Sequence, residues 1–204
     1  MSTDEKSIVF IDAQNVLMGW RNYCVNNGKV LSPENPNDKR IRISEKLDYK
    51  KLVEVLSADT NFLRAYFYDG VDERLDVNKK NFLTALKEQG IQTKTKVLKN
   101  RQFYCNSCKG VRKGRVQKGV DVALATDILR HAWQGSCQVC IVVSGDEDFA
   151  DAINVARDKG VKVWVASFRD SFSPNLEADK KIYLDDITDK IKIIQPNAAT
   201  PQKI

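Results

Sequence analysis

The chain contains a single histidine in 204 residues. That lone residue, His131, falls inside a helical stretch, so neither a multi-histidine metal site nor a Ser/His/Asp triad has support, and we read it as a helix-surface residue. Long apolar runs are also missing. None approaches the roughly 20 residues of a membrane span, and residues 1–7 are polar with two acids. The expectation is a soluble, unsecreted, cytoplasmic protein with no membrane partner. Five cysteines, an odd number, do not suggest a disulfide framework. Neither G-x-G-x-x-G nor G-x-x-x-x-G-K-[ST] occurs, which leaves nucleotide binding by a glycine loop unsupported. DEDFADAIN opens like an EF-hand loop but lacks the acid and glycine that should follow. DAQN lacks the second aspartate of a haloacid-dehalogenase-type phosphatase.

What is present is globular. Hydrophobic residues make up 42% and charged residues 29%, enough for one sizeable core. We expect one domain over 1–194, with a basic CxxC-containing insertion at about 99–118 and a flexible tail at 195–204. The net charge of +6 is unevenly placed. Residues 89–120 hold Lys94, Lys96, Lys99, Arg101, Lys109, Arg112, Lys113, Arg115 and Lys118 and no acid. This segment carries +9, so everything else carries a net −3. A local basic patch supplies salt-dependent affinity for phosphates. A merely solvated loop would read the same, but this run leads directly into Asp121.

Short apolar runs alternate with helical patterns. SIVFI, VCIVV and VKVWVA read as strands, the first two buried on both faces. NFLRAYFY reads as another strand, and Ile91, Thr93, Thr95 and Val97 alternate as on an edge strand. Helices are expected over 47–56, 77–89, 122–133 and from Phe149 to Gly160, with a short one over 175–181. The two prolines and mixed charges of 28–46 suggest a loop excursion. Trp20, Trp133 and Trp164 sit in apolar patterns and are assigned to the core. Together these predict an α/β fold with a mainly parallel sheet of about five strands.

Four aspartates end three of the apolar runs or open the helices after them. Asp12 follows FI, with Asn15 three residues on; Asp121 follows KGV; Asp146 and Asp148 follow SG. Each is also a plausible helix cap. Parallel sheets place their sites along the carboxyl edge, so acids from three junctions can meet there. Clustered carboxylates repel and stay ionised only with a cation among them. Oxygen-rich pockets suit Mg²⁺ or Mn²⁺, and an acidic metal pocket on a basic chain points to phosphodiester chemistry.

At these residues the sequence resembles a known family. FIDAQN, KGVDVALATDIL and SGDEDFADAINVARDKGVKVWVASF are similar to signature segments of the NYN domain, LabA-like branch, of the PIN-like nuclease superfamily. LEADKKIYLDDI resembles the closing segment of that branch, so the likeness spans roughly 7–191. It implies a three-layer α/β/α sandwich and metal-dependent endoribonuclease activity. It also implies that Asp12, Asp121, Asp146 and Asp148 form the acidic, metal-holding site, with Asn15 as its polar partner. Asp127 matches a second acid of the KGVD helix. Lying six residues past Asp121, it falls nearer the opposite helix face and is read as supporting or structural. A further mid-domain acid found in many PIN-like nucleases has only Asp69 and Asp72 as candidates here.

Cys105 and Cys108 form a CxxC within the basic segment, and Cys137 and Cys140 form another. A four-cysteine zinc site is the sharper reading. Against it, Cys140 opens an apolar strand, where cysteine more often packs. The expectation is a metal-free finger bordering the RNA path, with Cys105 and Cys108 as its only candidate zinc ligands.

The functional expectation is a Mg²⁺- or Mn²⁺-dependent endoribonuclease acting on single-stranded RNA. Lys94, Lys96, Lys99, Arg101, Arg112, Lys113, Arg115 and Lys118 would bind phosphates, and Phe103 or Tyr104 would stack on a base. The alternative is a non-catalytic or weakly catalytic RNA-binding regulatory module of the same fold. The charge pattern makes a direct prediction. Replacing Arg112, Lys113 and Arg115 by Ala should weaken RNA binding and flatten its log–log salt dependence by about two units, at roughly 0.7 per lost single-strand phosphate contact. Turnover at saturating RNA should barely change. An unaltered slope would reduce the run to a solvated loop.

Overall fold

The computed structural model describes residues 4–31, 42–72, 76–104, 110–116 and 119–194. In chain order these form β1 (Lys6–Asp12), α1 (Ala13–Asn26), β2 (Val30–Leu31), β3 (Arg42–Ile43), β4 (Glu45–Leu47) and α2 (Tyr49–Leu56). Then come β5 (Asn61–Val71), α3 (Val77–Glu88), β6 (Ile91–Val97), β7 (Lys99–Tyr104), β8 (Val111–Val116) and α4 (Val120–Trp133). The chain finishes with β9 (Val139–Val143), α5 (Ala150–Asp158), β10 (Lys162–Ser167), β11 (Lys180–Tyr183), α6 (Thr188–Ile191) and β12 (Lys192–Ile194).

The central sheet has six parallel strands in the order β11-β10-β9-β1-β5-β6. Its strands are apolar on both faces because both are covered. On β1, Val9 and Ile11 face the core shared with α1, α2 and α3, while Ile8 and Phe10 face the core under α4 and α5. β9 splits the same way, with Ile141 and Val143 on the first side and Cys140 and Val142 on the second. The molecule is thus a three-layer α/β/α sandwich, as expected from a PIN-like fold. From β1 the chain winds outward through β5 to β6. It then crosses back to β9 and winds the other way to β11. The reversal lies between β1 and β9, where open α/β sheets place their binding crevice.

Several expectations need correction. The sheet has six strands, because 175–181 is not a helix; Lys180–Tyr183 instead adds edge strand β11 beside β10. The segment 28–46 is not only loop, since β2 pairs with β3 and β4 pairs with β12. Nor is the basic segment a mere loop. Lys99–Tyr104 and Val111–Val116 pair as an antiparallel hairpin, with Phe103 opposite Arg112 and Gln102 opposite Lys113. The Cys105 and Cys108 reading and the tail at 195–204 lie outside the described residues. Trp133 is 64% exposed rather than core, with the Lys159 ammonium 5.0 Å from its ring centre in a cation–π contact. His131 is buried, not superficial; its Nε2 lies 3.2 Å from the Tyr66 hydroxyl, and burial lowers its pKa. Helical periodicity alone could not reveal that α5 leaves Trp133 uncovered while the Tyr66 face covers His131.

Asp127 sits where its spacing suggested, away from Asp121 and against the sheet. It is buried, and it accepts hydrogen bonds from the Tyr68 hydroxyl at 2.6 Å, from the Lys94 ammonium and from Arg130 at 2.8 Å. Burial alone would raise its pKa. The bonds from Lys94 and Tyr68 and the charges of Lys94 and Arg130 outweigh that and lower it. A lowered folded-state pKa gives stability that is present above the unfolded value and lost as pH falls through the folded one. Asp127→Asn should therefore cost on the order of 1–2 kcal/mol near neutrality. In urea unfolding, the gap from wild type should close as pH drops below about 4. A gap independent of pH would contradict this account.

Candidate functional site

β1 delivers Asp12 to the carboxyl edge at the reversal point, and the turn into α1 fixes it there. Its Oδ1 accepts from the backbone amides of Gln14 at 3.1 Å and Asn15 at 3.3 Å, so Asp12 is the N-cap of α1. Its Oδ2 accepts from the Ser144 hydroxyl, 3.1 Å away, at the end of β9. The carboxylate is only 4% exposed. Burial raises its pKa, opposed by the Asn15 amide and the Ser144 hydroxyl, and the nearby Asp121 carboxylate raises it further. Asp12 is therefore a buried carboxyl group, held by hydrogen bonds, with the Asp121 carboxylate beside it.

Asn15 ties the other loops to this point. Its Oδ1 accepts from the Gly145 amide at 3.1 Å and from the Ser167 hydroxyl at 3.4 Å, linking α1 to the ends of β9 and β10. Gly145 has no room for a side chain, since a Cβ would stand 1.9 Å from the Ser171 carbonyl oxygen. That close approach, with the Ser173 amide donating to the Gly145 oxygen at 2.9 Å, holds the following Asp146 in place. The Asp146 amide donates to Ser144 Oγ, and its side chain caps the 3₁₀ turn Glu147–Phe149 by accepting from the Asp148 amide at 3.1 Å.

Asp121 arrives from a third direction. Gly119, at φ 83°, opens α4 in the left-handed conformation that favours glycine, and no side chain caps the helix. Asp121 thus sits in the first turn of α4, where an anion suits the helix dipole. Asp12, Asn15, Asp121 and Asp146 line one cavity of about 220 Å³, together with Gln14 and Met18. An adjoining groove of about 480 Å³ shares Asn15, Met18 and Asp146 with it and runs past Gly145 toward Asp170 and Phe172. Asp148 is exposed and lines neither space.

Other expected residues lie elsewhere. Lys94 is held by Asp127, with its ammonium 4.5 Å from the centre of the Tyr66 ring. Asp69 is buried and paired with Lys79, outside the acidic cavity. Lys96, near the carboxyl end of β6, and Lys99, which opens hairpin strand β7, are exposed. Arg101, Arg112, Lys113 and Arg115 belong to the hairpin strands β7 and β8, and Lys118 lies outside the described residues. Val116 is five residues before Asp121, so the hairpin's last strand ends within roughly 18 Å of the acidic cavity. Cys137 and Cys140 are both buried, with sulfurs 3.6 Å apart. Sequence reasoning missed Ser144 and Ser167. The one available signal was that each is a polar residue ending a buried strand.

The donor set is hard oxygen, and Asp12 keeps lone pairs beyond its three hydrogen bonds. Among the described residues, no three His, Cys, Asp or Glu side chains gather closely enough to hold an ion by themselves. Mg²⁺ commonly keeps several waters and takes only one or two carboxylates, so the site fits such an ion with water completing its shell.

A parallel sandwich with acids at its reversal point defines the class as PIN-like, and comparison with known proteins gives the family. The NYN domain model matches residues 6–185, and the chain belongs to that family, within the PIN-like nuclease superfamily. A Vibrio parahaemolyticus protein of unknown function has a similar fold, with a TM-score of 0.62 and 21% identity over 95% of this chain and 100% of that one. The uncharacterized protein y4oD of Sinorhizobium fredii is 36% identical over 77 residues, which is 35% of this chain and 36% of that protein. The match to this curated relative thus spans about a third of its length.

The buried Asp12 charge suggests a test. In Asp12→Asn the amide oxygen still accepts from the α1 amides, while a poorly solvated charge beside Asp121 is lost. Metal-free melting should rise by about 2–4 °C, the shift expected for roughly 1 kcal/mol in a protein of this size. Mn²⁺ is expected to raise the melting temperature of the wild type and to leave that of Asp12→Asn unchanged. A variant that melts lower without metal, yet still responds to Mn²⁺, would exclude Asp12 as the seat of the cation.

Proposed function

We propose that the protein is a metal-dependent endoribonuclease that hydrolyses phosphodiester bonds of single-stranded RNA in the cytoplasm. The observation that supports this most directly is the convergence of Asp12, Asp121 and Asp146 from three strand-to-helix junctions on one cavity. Mg²⁺ or Mn²⁺ bound there would supply positive charge to the phosphoryl oxygens and acidify a water. Asp12 and Asp121 would be the carboxylates that hold the ion, and Asp146, exposed beside them, would act on its bound water. Asn15 fixes the Gly145–Asp146 turn through its carbonyl oxygen, which accepts from Gly145 and Ser167, while its side chain also lines the cavity. The open groove toward Asp170 and Phe172 leaves room for the strand on one side. Lys96, Lys99 and the basic hairpin would hold phosphates on the other. Attack by water leaves a 5′-phosphate on one product.

The decisive assay uses 5′-labelled single-stranded RNA with Mn²⁺, Mg²⁺ or EDTA. The wild type should cleave with either ion and not in EDTA. Asp146→Asn should lose at least a hundredfold in rate while binding RNA with little change, because Asp146 lies on the rim and is exposed. Binding without cleavage in every ion would assign the regulatory RNA-binding module instead. Wild-type rates in Asp146→Asn would remove that residue from the chemistry.

A further inference from the structure

A second cavity, of about 260 Å³, is bordered by α1, which also borders the acidic one. Its wall holds three aromatic residues, Trp20, Tyr49 and Phe82, together with Leu17 and two lysines, Lys46 and Lys79. Tyr49 opens α2, and its ring packs edge-on against Phe67 and Phe82, with centroids 5.0 and 5.8 Å away. Its hydroxyl is buried and has no hydrogen-bond partner among the described residues. Buried hydroxyls are rarely left so, and an orphan of this kind calls for a ligand group or water. The charges of Asp69 and Asp12 both act on that hydroxyl, after burial itself, to raise its pKa. This end of Tyr49 therefore lies within electrostatic reach of the acidic site. Lys79 is paired with Asp69, and its ammonium lies 5.4 Å from the centre of the Phe82 ring.

The two cavities are neighbours through α1. Leu17 lines the aromatic one and the next residue, Met18, lines the acidic one. Both are large apolar residues, 48% and 57% exposed. A ligand spanning them must offer a flat apolar body to the aromatic wall, a polar edge to an unpartnered hydroxyl, and negative charge near Lys46, since Lys79 is paired with Asp69. An unpaired nucleotide of a strand running through the acidic cavity has all three.

We propose that this aromatic cavity receives the base of an unpaired RNA nucleotide whose strand runs past the acidic cavity lined by Asp12, Asp121 and Asp146. The inference rests on the nuclease reading for its neighbour, but it names a separate site. The volume suits one ring system rather than a whole nucleotide, so the sugar and phosphate stay outside, toward Lys46. A base within a duplex cannot enter without unstacking, so the cavity selects single strands.

The test uses single-stranded RNA carrying one 2-aminopurine, in EDTA to prevent turnover, with affinity read by anisotropy and base burial by 2-aminopurine fluorescence. The wild type should quench the probe on binding, and the same strand annealed to its complement should bind without quenching. Leu17→Trp, which fills the cavity mouth, should weaken binding roughly tenfold and abolish the quench, as loss of one stacked base predicts. Tyr49→Phe should weaken binding about threefold with unchanged melting. Ile43→Phe, which fills the cavity from β3, repeats the test if Leu17→Trp fails to fold. Wild-type affinity and quenching in a folded filling variant would overturn the proposal. So would AMP competing at lower concentration than the strand, which would make this a mononucleotide site. The Mn²⁺ cleavage assay separates the two readings. Cleavage without quenching overturns the base pocket alone, whereas quenching without cleavage overturns the nuclease alone.

Discussion

The constraint on which the site depends is a carboxylate buried where strand order reverses. Asp12 is nearly inaccessible, yet it keeps its place because two helix-start amides and the Ser144 hydroxyl bind it. Those bonds offset much of the cost of burial but add no opposite charge, and Asp121 makes the local field more negative. A fold selected for stability alone would have little use for this arrangement. It suits a site whose counter-charge arrives with a cation.

The surroundings of Asp12 follow from joining three loops at one point. Asn15 spends its carbonyl oxygen on Gly145 and Ser167, so α1 and the ends of β9 and β10 cannot move apart independently. Gly145 permits a backbone approach that any Cβ would block. Asp146 is thereby set on the rim, half fixed by its own capping bond. Further along α4, the Tyr68–Asp127–Lys94–Arg130 cluster shows charge put to another use. There the acid is buried with its cations and anchors α4 to β5 and β6. The same helix thus carries one aspartate for the open edge and another for the packed interface, six residues apart.

The basic surface and the acidic site also divide by architecture. The sheet and its helices carry the acids, while most of the excess positive charge sits on β6, the β7–β8 hairpin and the residues joining it to α4. The hairpin starts just past the carboxyl end of β6, and its second strand, β8, ends five residues before Asp121. Belonging to the NYN family agrees with this division, since the superfamily is one of nucleases.

Much of this was legible in the sequence, for identifiable reasons. Strands buried on both faces announce themselves as unbroken apolar runs, so SIVFI and VCIVV were readable without contacts, and with them the α/β class. Acids placed just after such runs come out at one sheet edge, which made Asp12 and Asp146 candidates for a shared site; Asp121 reaches it differently, in the first turn of α4 after hairpin strand β8, outside the central sheet. Composition and spacing did not determine which side chains are neighbours. Lys94 looked like one more phosphate ligand until the sheet set it beside Asp127. Asp148 looked equal to Asp146, although the capping turn leaves it outside the cavity. Trp20 and Tyr49, residues of α1 and α2 with ordinary core patterns, share a cavity wall with a lysine of α3. Local sequence carries hydrophobic period and chain breaks, whereas ion pairs, orphaned hydroxyls and cavities depend on residues far apart in the chain, and only the packed tertiary structure brings those together.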